Sequence, residues 1–433
     1  MSGADLGQDG AMGKWITAGI CVALLASCGG DEETTTGGTD EAKVVDVAAM
    51  DGAKGEVTFC TGKDTSGDKT AAVKSFNEEH PDINVELLEF SASADEQRAQ
   101  FVQRQEAESG ECDVFYSDVI WTAEFASQQW IYDLTPYVET RKQELIPATL
   151  GSVDYEGKLW GMPHQTNAAF LYYRTDQVSE PPKTWQEVYE QGAAENGVVY
   201  QGAPYEGLTC DFLEVAFAAG GQVLSEDGKS AVIDSPENEK ALQLMVDGVE
   251  DGVAANGVTT YMEEEARRYF ESGRATFMRN WPYAYELGQA KGSKVRGKFD
   301  VAPLPSFEGG GRAAILGGHN FVISVYSENA GAALKWIDYA TNREQQLATL
   351  RDYSQAAVLA DVYDDPAVRK KFPFAPQLRD AVSQAKSRPV SPVYPQISQA
   401  IYENVSEALN GRMTPKEALA QAQAQIEDAL ATF

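Results

Sequence analysis

The sequence predicts an α/β fold with parallel strands, divided into two domains. From Gly55 onward, short β-rich runs alternate with segments whose apolar residues recur at helical spacing. Strand–helix–strand units of this kind favour a parallel sheet with right-handed crossovers. The chain has 433 residues, and 43% of them are hydrophobic. The roughly 380 residues after position 54 are enough for two domains of ordinary size and a large core.

The first three strands and two helices are the clearest part of this pattern. Strands are predicted at 56–60, 83–87 and 113–116, and helices at 71–79 and 94–109. Pro81 ends the first helix because proline cannot continue it. Ligands of open α/β sheets lie beyond the carboxyl ends of the strands, so the loops after Cys60 and Tyr116 are candidates for a cleft.

Later helices are marked by capping residues at their starts. Thr184 and Thr414 are each followed three residues later by Glu, which forms a capping box. Ser235 precedes a proline, which is typical of the first turn of a helix. The helix after Thr414 is predicted to run to about Leu430, and 316–327 reads as glycines followed by a strand.

The N-terminal residues predict export and lipidation. An apolar run at 15–25 follows one cation and ends in Leu-Ala-Ser before Cys28. It is about half the roughly 20 residues that a membrane span needs, so residues 1–27 are predicted to be a signal peptide. The acidic residues before Met12 suit a signal poorly, so translation is expected to begin there. Cys28 is predicted to be lipidated; an ordinary signal peptide with an incidental Cys28 is the alternative.

Composition fits a protein held outside the cytoplasm on a lipid anchor. Residues 28–54 are rich in Gly, Thr and acids without an apolar period, which predicts a flexible tether. The net charge of −31 excludes nucleic acid as a partner, since its binders need clustered cations. Cys60, Cys112 and Cys210 remain beyond the anchor. They are compatible with one disulfide and one buried thiol, but their pairing stays open.

No motif points to catalysis or to a bound metal. His80, His164 and His319 are far apart and form no ligand motif. P-loop, GxSxG and HExxH patterns are absent from the sequence. With 66 acidic residues, a carboxylate pair suited to glycoside hydrolysis would arise by chance. We therefore predict no enzyme activity, no cofactor and no metal site.

Eight short segments carry a family resemblance through their order and spacing. They are SFNEEHP (75–81), CDVFYSDVIWTAEFA (112–126), WGMP (160–163), LYYR (171–174), YEGLT (205–209), FMRNWPY (277–283), LGG (316–318) and RPVSPVYP (388–395). Together they resemble the family 1 extracellular solute-binding proteins of ABC importers, above all the trehalose/maltose-binding subgroup. The resemblance covers 55–433.

This resemblance implies a two-lobed periplasmic-binding-protein fold of type II, similar to maltose-binding protein, with a hinge and an interlobe cleft. The N-terminal lobe would comprise 55–165 plus 316–370, and the C-terminal lobe 168–314 plus 374–433. The chain would cross between lobes near Asn167, Leu316 and Phe372. The implied protein is a monomeric, lipid-anchored receptor that delivers a di- or oligosaccharide of trehalose or maltose type to an ABC permease.

Ten residues are candidates for sugar contacts, from the resemblance and from residue chemistry. They are Asp64, Arg98, Asp118, Asn167, Glu206, Trp281, Tyr283, Gly318, His319 and Arg388. Carboxylates, amides and guanidinium groups suit hydroxyl edges, and aromatic rings suit the apolar faces of a sugar. Asn167 stands where close relatives often carry Asp, and neighbouring aromatics are replaced by His164 and Gln165, which leaves the particular sugar open.

Other roles compete for several of these residues. Asp118 also suits a helix N-cap, Asp64 a solvated loop, Arg98 a solvated helix face and Arg388 a structural ion pair. At the level of function, the same fold could bind another small solute such as a polyamine or peptide. A lipid-anchored glycosidase or a sugar-sensing partner of a membrane kinase is a further alternative.

Overall fold

The structure, a computed structural model, describes residues 42–432. The predicted signal peptide and Cys28 lie outside the described residues. The strands are β1 (Gly55–Thr61), β2 (Ile83–Glu89), β3 (Val114–Asp118), β4 (Asp154–Tyr155), β5 (Lys158–Leu159), β6 (Met162–Asn167), β7 (Phe170–Arg174), β8 (Val198–Val199), β9 (Phe277–Asn280), β10 (Phe299–Pro303) and β11 (Gly317–Ile323). Within the described residues, no helix is both long and apolar enough to cross a membrane.

Helices surround these strands. They are α1 (Asp68–Glu79), α2 (Ala94–Glu106), α3 (Thr122–Ser127), α4 (Thr135–Val138), α5 (Pro147–Leu150), α6 (Trp185–Ala194), α7 (Glu206–Ala218), α8 (Pro236–Glu250), α9 (Glu263–Glu271), α10 (Ala284–Gly288), α11 (Ala330–Ala340), α12 (Arg343–Tyr353), α13 (Pro366–Lys371), α14 (Ala375–Gln384), α15 (Tyr394–Leu409) and α16 (Pro415–Leu430). Short 3-10 helices lie at Val47–Met50, Lys142–Glu144, Val258–Thr260 and Ala360–Asp364.

The first sheet has the strand order β2-β1-β3-β11-β6. Strand β1 pairs in parallel with both β2 and β3, which confirms the predicted βαβαβ unit. Strand β11 runs antiparallel to β3 and to β6, so the sheet is mixed and not wholly parallel as predicted. The difference arises because β11 enters from the second sheet instead of returning through a crossover helix.

The second sheet has the strand order β10-β7-β9-β8. Strand β7 is antiparallel to β10 and β9, and β8 pairs in parallel with β9. We call the part of the chain built on the first sheet lobe one and the part built on the second sheet lobe two. This mixed α/β architecture is the predicted two-lobed fold, whereas the residue boundaries assigned to the lobes stay a prediction.

The predicted helix starts are present at their capping residues. The Thr184 and Thr414 side chains each accept the backbone N–H three residues on, and each following Glu completes a capping box. The Ser235 hydroxyl accepts the backbone N–H of Asn238 at the start of α8. Helix α1 begins at Asp68, three residues before its predicted start. The prediction places the start too late because the first turn is polar and has no apolar periodicity.

The predicted tether is too long at its C-terminal end. Residues 47–50 form a 3-10 helix that contacts α11, and Val45 is buried in the core. The Val45 backbone N–H donates to the Asp133 carbonyl at 3.0 Å, so this segment belongs to lobe one. The polar composition of 28–54 gives no sign of this docking, because the contact depends on a single buried valine and on main-chain hydrogen bonds.

The structure resolves the cysteine pairing that the sequence leaves open. Cys60 and Cys112 form a disulfide across 52 residues, and Cys210 is a buried free thiol. Cys60 lies in β1 and Cys112 just before its neighbour β3, so the disulfide joins two strands that carry loops of the cleft. It therefore constrains the region that supports the candidate site.

We expect the Cys60→Ser/Cys112→Ser double variant to lose about 4 kcal/mol of unfolding free energy, because the open chain regains loop entropy. Urea unfolding with and without dithiothreitol measures the loss. The reductant should destabilise the parent protein and leave the double variant unchanged. Equal urea midpoints for the parent and the double variant would contradict the assigned role of this bond.

Candidate functional site

A cavity of about 220 Å³ lies between the two lobes. Eight of the ten candidate residues line it, namely Asp118, Asn167, Glu206, Trp281, Tyr283, Gly318, His319 and Arg388. Asp64 and Arg98 are not among the lining residues. The cavity is somewhat smaller than the roughly 300–1,000 Å³ of sites for drug-sized ligands, so it suits a compact solute.

Lobe one places its polar residues at the ends of neighbouring strands. Asp118 ends β3, and His319 of β11 is its antiparallel partner. Gly318 lies in β11 directly before His319, with a φ of +122°, and a Cβ there would lie 2.1 Å from the Gln165 carbonyl oxygen. Glycine is therefore required at this position, because it alone permits this backbone conformation and this close approach of β11 to β6.

Arg388 is buried and joins the two lobes. Its Nη2 donates to Asp118 Oδ1 at 3.3 Å and to the Leu316 carbonyl at 3.2 Å. Its Nη1 donates to Glu206 Oε1 at 2.5 Å and to Cys210 Sγ at 3.5 Å. Only the Nε hydrogen of the guanidinium lacks a protein acceptor. The predicted salt-bridge alternative for Arg388 is thus realised at the wall of the cavity.

Glu206 reaches the cavity wall, but its carboxylate is already occupied. Besides Arg388, Oε1 accepts from the Tyr394 hydroxyl at 2.7 Å and Oε2 accepts from the Ser398 hydroxyl at 2.5 Å. Burial raises the pKa of Glu206, and the charge of Arg388 opposes that change. In this arrangement Glu206 anchors Arg388, a role that the sequence analysis did not foresee.

Asp118 lines the cavity, and of the two roles considered for it in the sequence the helix N-cap is not observed. Its Oδ1 accepts the Ile120 backbone N–H at 3.2 Å as well as the Arg388 bond. The following helix α3 begins only at Thr122, so Asp118 stabilises the turn before it and is not its N-cap. Burial raises the pKa of Asp118, while the charge of Arg388 acts in the opposite direction.

Lobe two contributes the aromatic wall. The guanidinium of Arg279 lies 4.0 Å from the centre of the Trp281 ring. Arg279 is itself buried, and its Nη2 pairs with Glu214 Oε1 at 2.6 Å. The Tyr283 hydroxyl donates to Glu264 Oε1 at 2.8 Å. Both rings are therefore held in place by charged groups in lobe two.

His319 stacks on Tyr116, with ring centroids 4.4 Å apart and planes 6° from parallel. The ammonium of Lys69 lies 4.9 Å from the Tyr116 ring centre and 3.2 Å from Asp68 Oδ1. Desolvation and the charges of Lys69 and Arg388 lower the pKa of His319 to about 3. The imidazole is therefore neutral at pH 7 and can both donate and accept a hydrogen bond.

Several buried polar atoms of the cavity wall have no protein partner. Asn167 Oδ1, His319 Nδ1, Arg388 Nε and Thr61 Oγ1 are buried without a hydrogen bond. An unsatisfied buried polar group costs about 1–3 kcal/mol, and such groups are uncommon in native proteins. Their concentration around one cavity fits a polar ligand that supplies the missing partners.

Asp64 and Arg98 have structural partners elsewhere. Asp64 Oδ2 accepts from the Thr70 backbone N–H at 2.9 Å and its hydroxyl at 2.8 Å, so it stabilises the first turn of α1. Arg98 forms a two-point ion pair with Glu124 of α3. Their chain neighbours Thr65 and Gln97 line the cavity, but the polar atoms of Asp64 and Arg98 bind local partners.

Several residues that line the cavity are not predicted from the sequence. They are, among others, Lys69, Gln97, Tyr116, Gln165, Glu263 and Gln355. Tyr116 ends the strand predicted at 113–116, and the loop after it is predicted to line the cleft, so the predicted topology indicates Tyr116 as a candidate. Gln355 reaches the site from beyond β11 and donates to Ser66 Oγ at 3.1 Å. No spacing in the sequence indicates that contact.

Comparison with known proteins gives consistent matches. The family model for bacterial extracellular solute-binding proteins matches residues 62–347. The chain is 35% identical over 363 residues to a probable ABC transporter-binding protein of Deinococcus radiodurans, covering 79% of this chain and 86% of that protein.

Two solved structures are similar to this chain in fold. Maltose-bound MalE3 of T. maritima has a TM-score of 0.83 and 37% identity, covering 86% of this chain and 99% of that one. A solute-binding protein of an ABC transporter from Thermotoga lettingae, bound with α-D-tagatose, has a TM-score of 0.79 and 25% identity, covering 87% of this chain and 99% of that one.

We expect Arg279→Met to lower the unfolding free energy by about 3–5 kcal/mol, because Glu214 would remain as an uncompensated buried charge. The matched control is Arg274→Met, an exposed cation 4.1 Å from the Tyr269 ring centre. Arg274→Met should lower the unfolding free energy by less than about 1 kcal/mol. Urea unfolding compares the two variants, and equal losses would refute the support assigned to Arg279.

Proposed function

Because the chain belongs to the bacterial extracellular solute-binding proteins, we propose that it captures a di- or oligosaccharide of maltose or trehalose type between its lobes and delivers it to an ABC permease. The observation that carries this proposal is the interlobe cavity itself. It combines Trp281 and Tyr283 on one lobe with partnerless polar atoms of Asn167 and His319 on the other.

This combination matches the chemistry of a sugar. Sugar rings have apolar C–H faces that pack on aromatic side chains and hydroxyl edges that need both donors and acceptors. The Asn167 amide oxygen accepts, the Arg388 Nε–H donates, and neutral His319 can do either. Each of the three groups therefore lacks a hydrogen-bond partner in the protein, and an uncharged polyol could supply it.

A polyamine ligand fits less well. A cationic ligand requires carboxylates without partners around aromatic rings. Lys69 and Arg388 line the cavity, and the carboxylates of Asp118 and Glu206 already bind Arg388.

The binding of Asp118 and Glu206 to Arg388 also disfavours a glycosidase, in which one carboxyl group must be a free acid and a second a free nucleophile or base. We therefore propose a binding protein without hydrolytic activity.

Membership in this family implies an extracytoplasmic location. We further propose that Cys28 is lipidated and tethers the protein, as a monomer, to the cell membrane beside its permease. Residues 42–54 dock on lobe one, so this part of the predicted tether belongs to the folded body. Closure of the lobes around the sugar would present the loaded form to the permease.

A thermal-shift screen of residues 42–433 against maltose, trehalose, sucrose, longer glucans, monosaccharides and spermidine tests the ligand class. A ligand at 1,000 times its dissociation constant should add about 4 kcal/mol of stability, which raises the melting temperature clearly. We expect a shift with an α-linked disaccharide. A shift with spermidine alone would replace the sugar by a polyamine, and no shift across the panel would refute the proposal.

Site variants test the assigned contacts. We expect Trp281→Ala and Asp118→Ala each to weaken sugar binding at least about tenfold, or roughly 1.4 kcal/mol, without unfolding the protein. Trp130→Ala serves as the control, because Trp130 packs near Phe125 and does not line the cavity. Calorimetric titration measures the affinities. Unchanged binding by both site variants would show that the sugar binds elsewhere.

A further inference from the structure

A second contact joins the lobes beside the Arg388 bridge. Asp95 lies in the first turn of α2 in lobe one, and its Oδ2 accepts the backbone N–H of Glu206 at 3.0 Å. Glu206 is the first residue of α7 in lobe two, so its N–H has no acceptor within that helix. Asp95 is half-buried and is not a lining residue of the cavity. It therefore connects the lobes without contacting a ligand there.

The charges around Asp95 are unbalanced. The negative charges of Glu206 in α7 and of Asp118 at the end of β3 act on the Asp95 carboxyl group. The Tyr402 hydroxyl of α15 is also close enough for its pKa to be raised by Asp95. Arg98, on the same helix as Asp95, is paired with Glu124. Arg388 is shared between Glu206 and Asp118. Arg388 thus pairs with two of the three carboxyl groups at the junction of the lobes, and neither Arg388 nor Arg98 forms an ion pair with Asp95.

We propose that Asp95 is a positioning residue that holds the closed cleft, and that closure over the ligand takes up one proton at its carboxyl group. This inference rests on the proposed function, since ligand capture selects the closed form. The proton comes from solvent and converts the carboxylate to a carboxylic acid. The remaining carbonyl oxygen still accepts the Glu206 N–H, so the contact survives protonation. Capture is then strongest in mildly acidic surroundings.

The direction of the pH effect follows from the two states of Asp95. In the closed form, burial and then the charge of Glu206 raise the pKa of Asp95 to about 6. Away from lobe two, the carboxyl group would titrate near its ordinary value of about 3.9. The closed form therefore binds more protons between these values, and affinity falls as the pH rises through about 6. Linkage gives about a tenfold loss between pH 5 and pH 7.

Affinity for maltose between pH 5 and pH 7 tests this with the full chain and two variants. In Asp95→Asn the amide oxygen still accepts the Glu206 N–H but carries no charge, so its affinity should not depend on pH in this range. The control is Glu96→Gln, the neighbouring exposed acid, which should keep the tenfold dependence of the parent. If the parent shows no such dependence, or if Asp95→Asn retains it, the proposal is wrong.

Unfolding in urea without sugar and with saturating maltose separates this proposal from the proposed function. Without sugar the lobes are apart in this proposal, so the parent and Asp95→Asn should respond to pH alike. With maltose the parent should become about tenfold easier to unfold at pH 7 than at pH 5, relative to Asp95→Asn. If maltose stabilises neither protein, the ligand assignment fails and proton-linked capture fails with it. If maltose stabilises both but they respond identically to pH, Asp95 has only a structural role and the proposal is wrong.

Discussion

The burial of one guanidinium, that of Arg388, is the constraint on which the candidate site depends. Removing such a group from water is costly, and paired carboxylates with further hydrogen bonds offset that cost. Asp118 and the Leu316 carbonyl supply acceptors from one side, and Glu206 supplies one from lobe two. The residues that would grip a ligand are therefore also those that hold the lobes together. The cavity wall and the contact between the lobes share one electrostatic network.

The rigidity of the cavity wall comes from residues behind it. Arg279 fixes Trp281 from within lobe two, and Gly318 lets β11 approach β6 closely enough to bring His319 beside Asp118. Such support lowers the entropy that the side chains of the wall would lose when a ligand binds. The polar atoms of the wall that have no hydrogen-bond partner in the protein are thus held in fixed positions.

Local patterns in the sequence predict much of this fold, and long-range partners explain what they miss. Capping boxes at Thr184 and Thr414 and the first βαβαβ unit depend on neighbours in the chain, and all are present. Asp64 and Arg98 were expected in the cleft, yet their polar atoms are used by α1 and by Glu124. The direction of β11 and the access of Lys69 to the cavity likewise depend on residues distant in sequence.

The docked segment before β1 determines how a mechanical load enters the molecule. Residues 42–54 contact Asp133, Val325 and α11, all of which belong to lobe one. Any pull from the preceding chain is therefore transmitted to lobe one and reaches lobe two only through the contacts between the lobes. A load applied at this point does not act directly across the cavity.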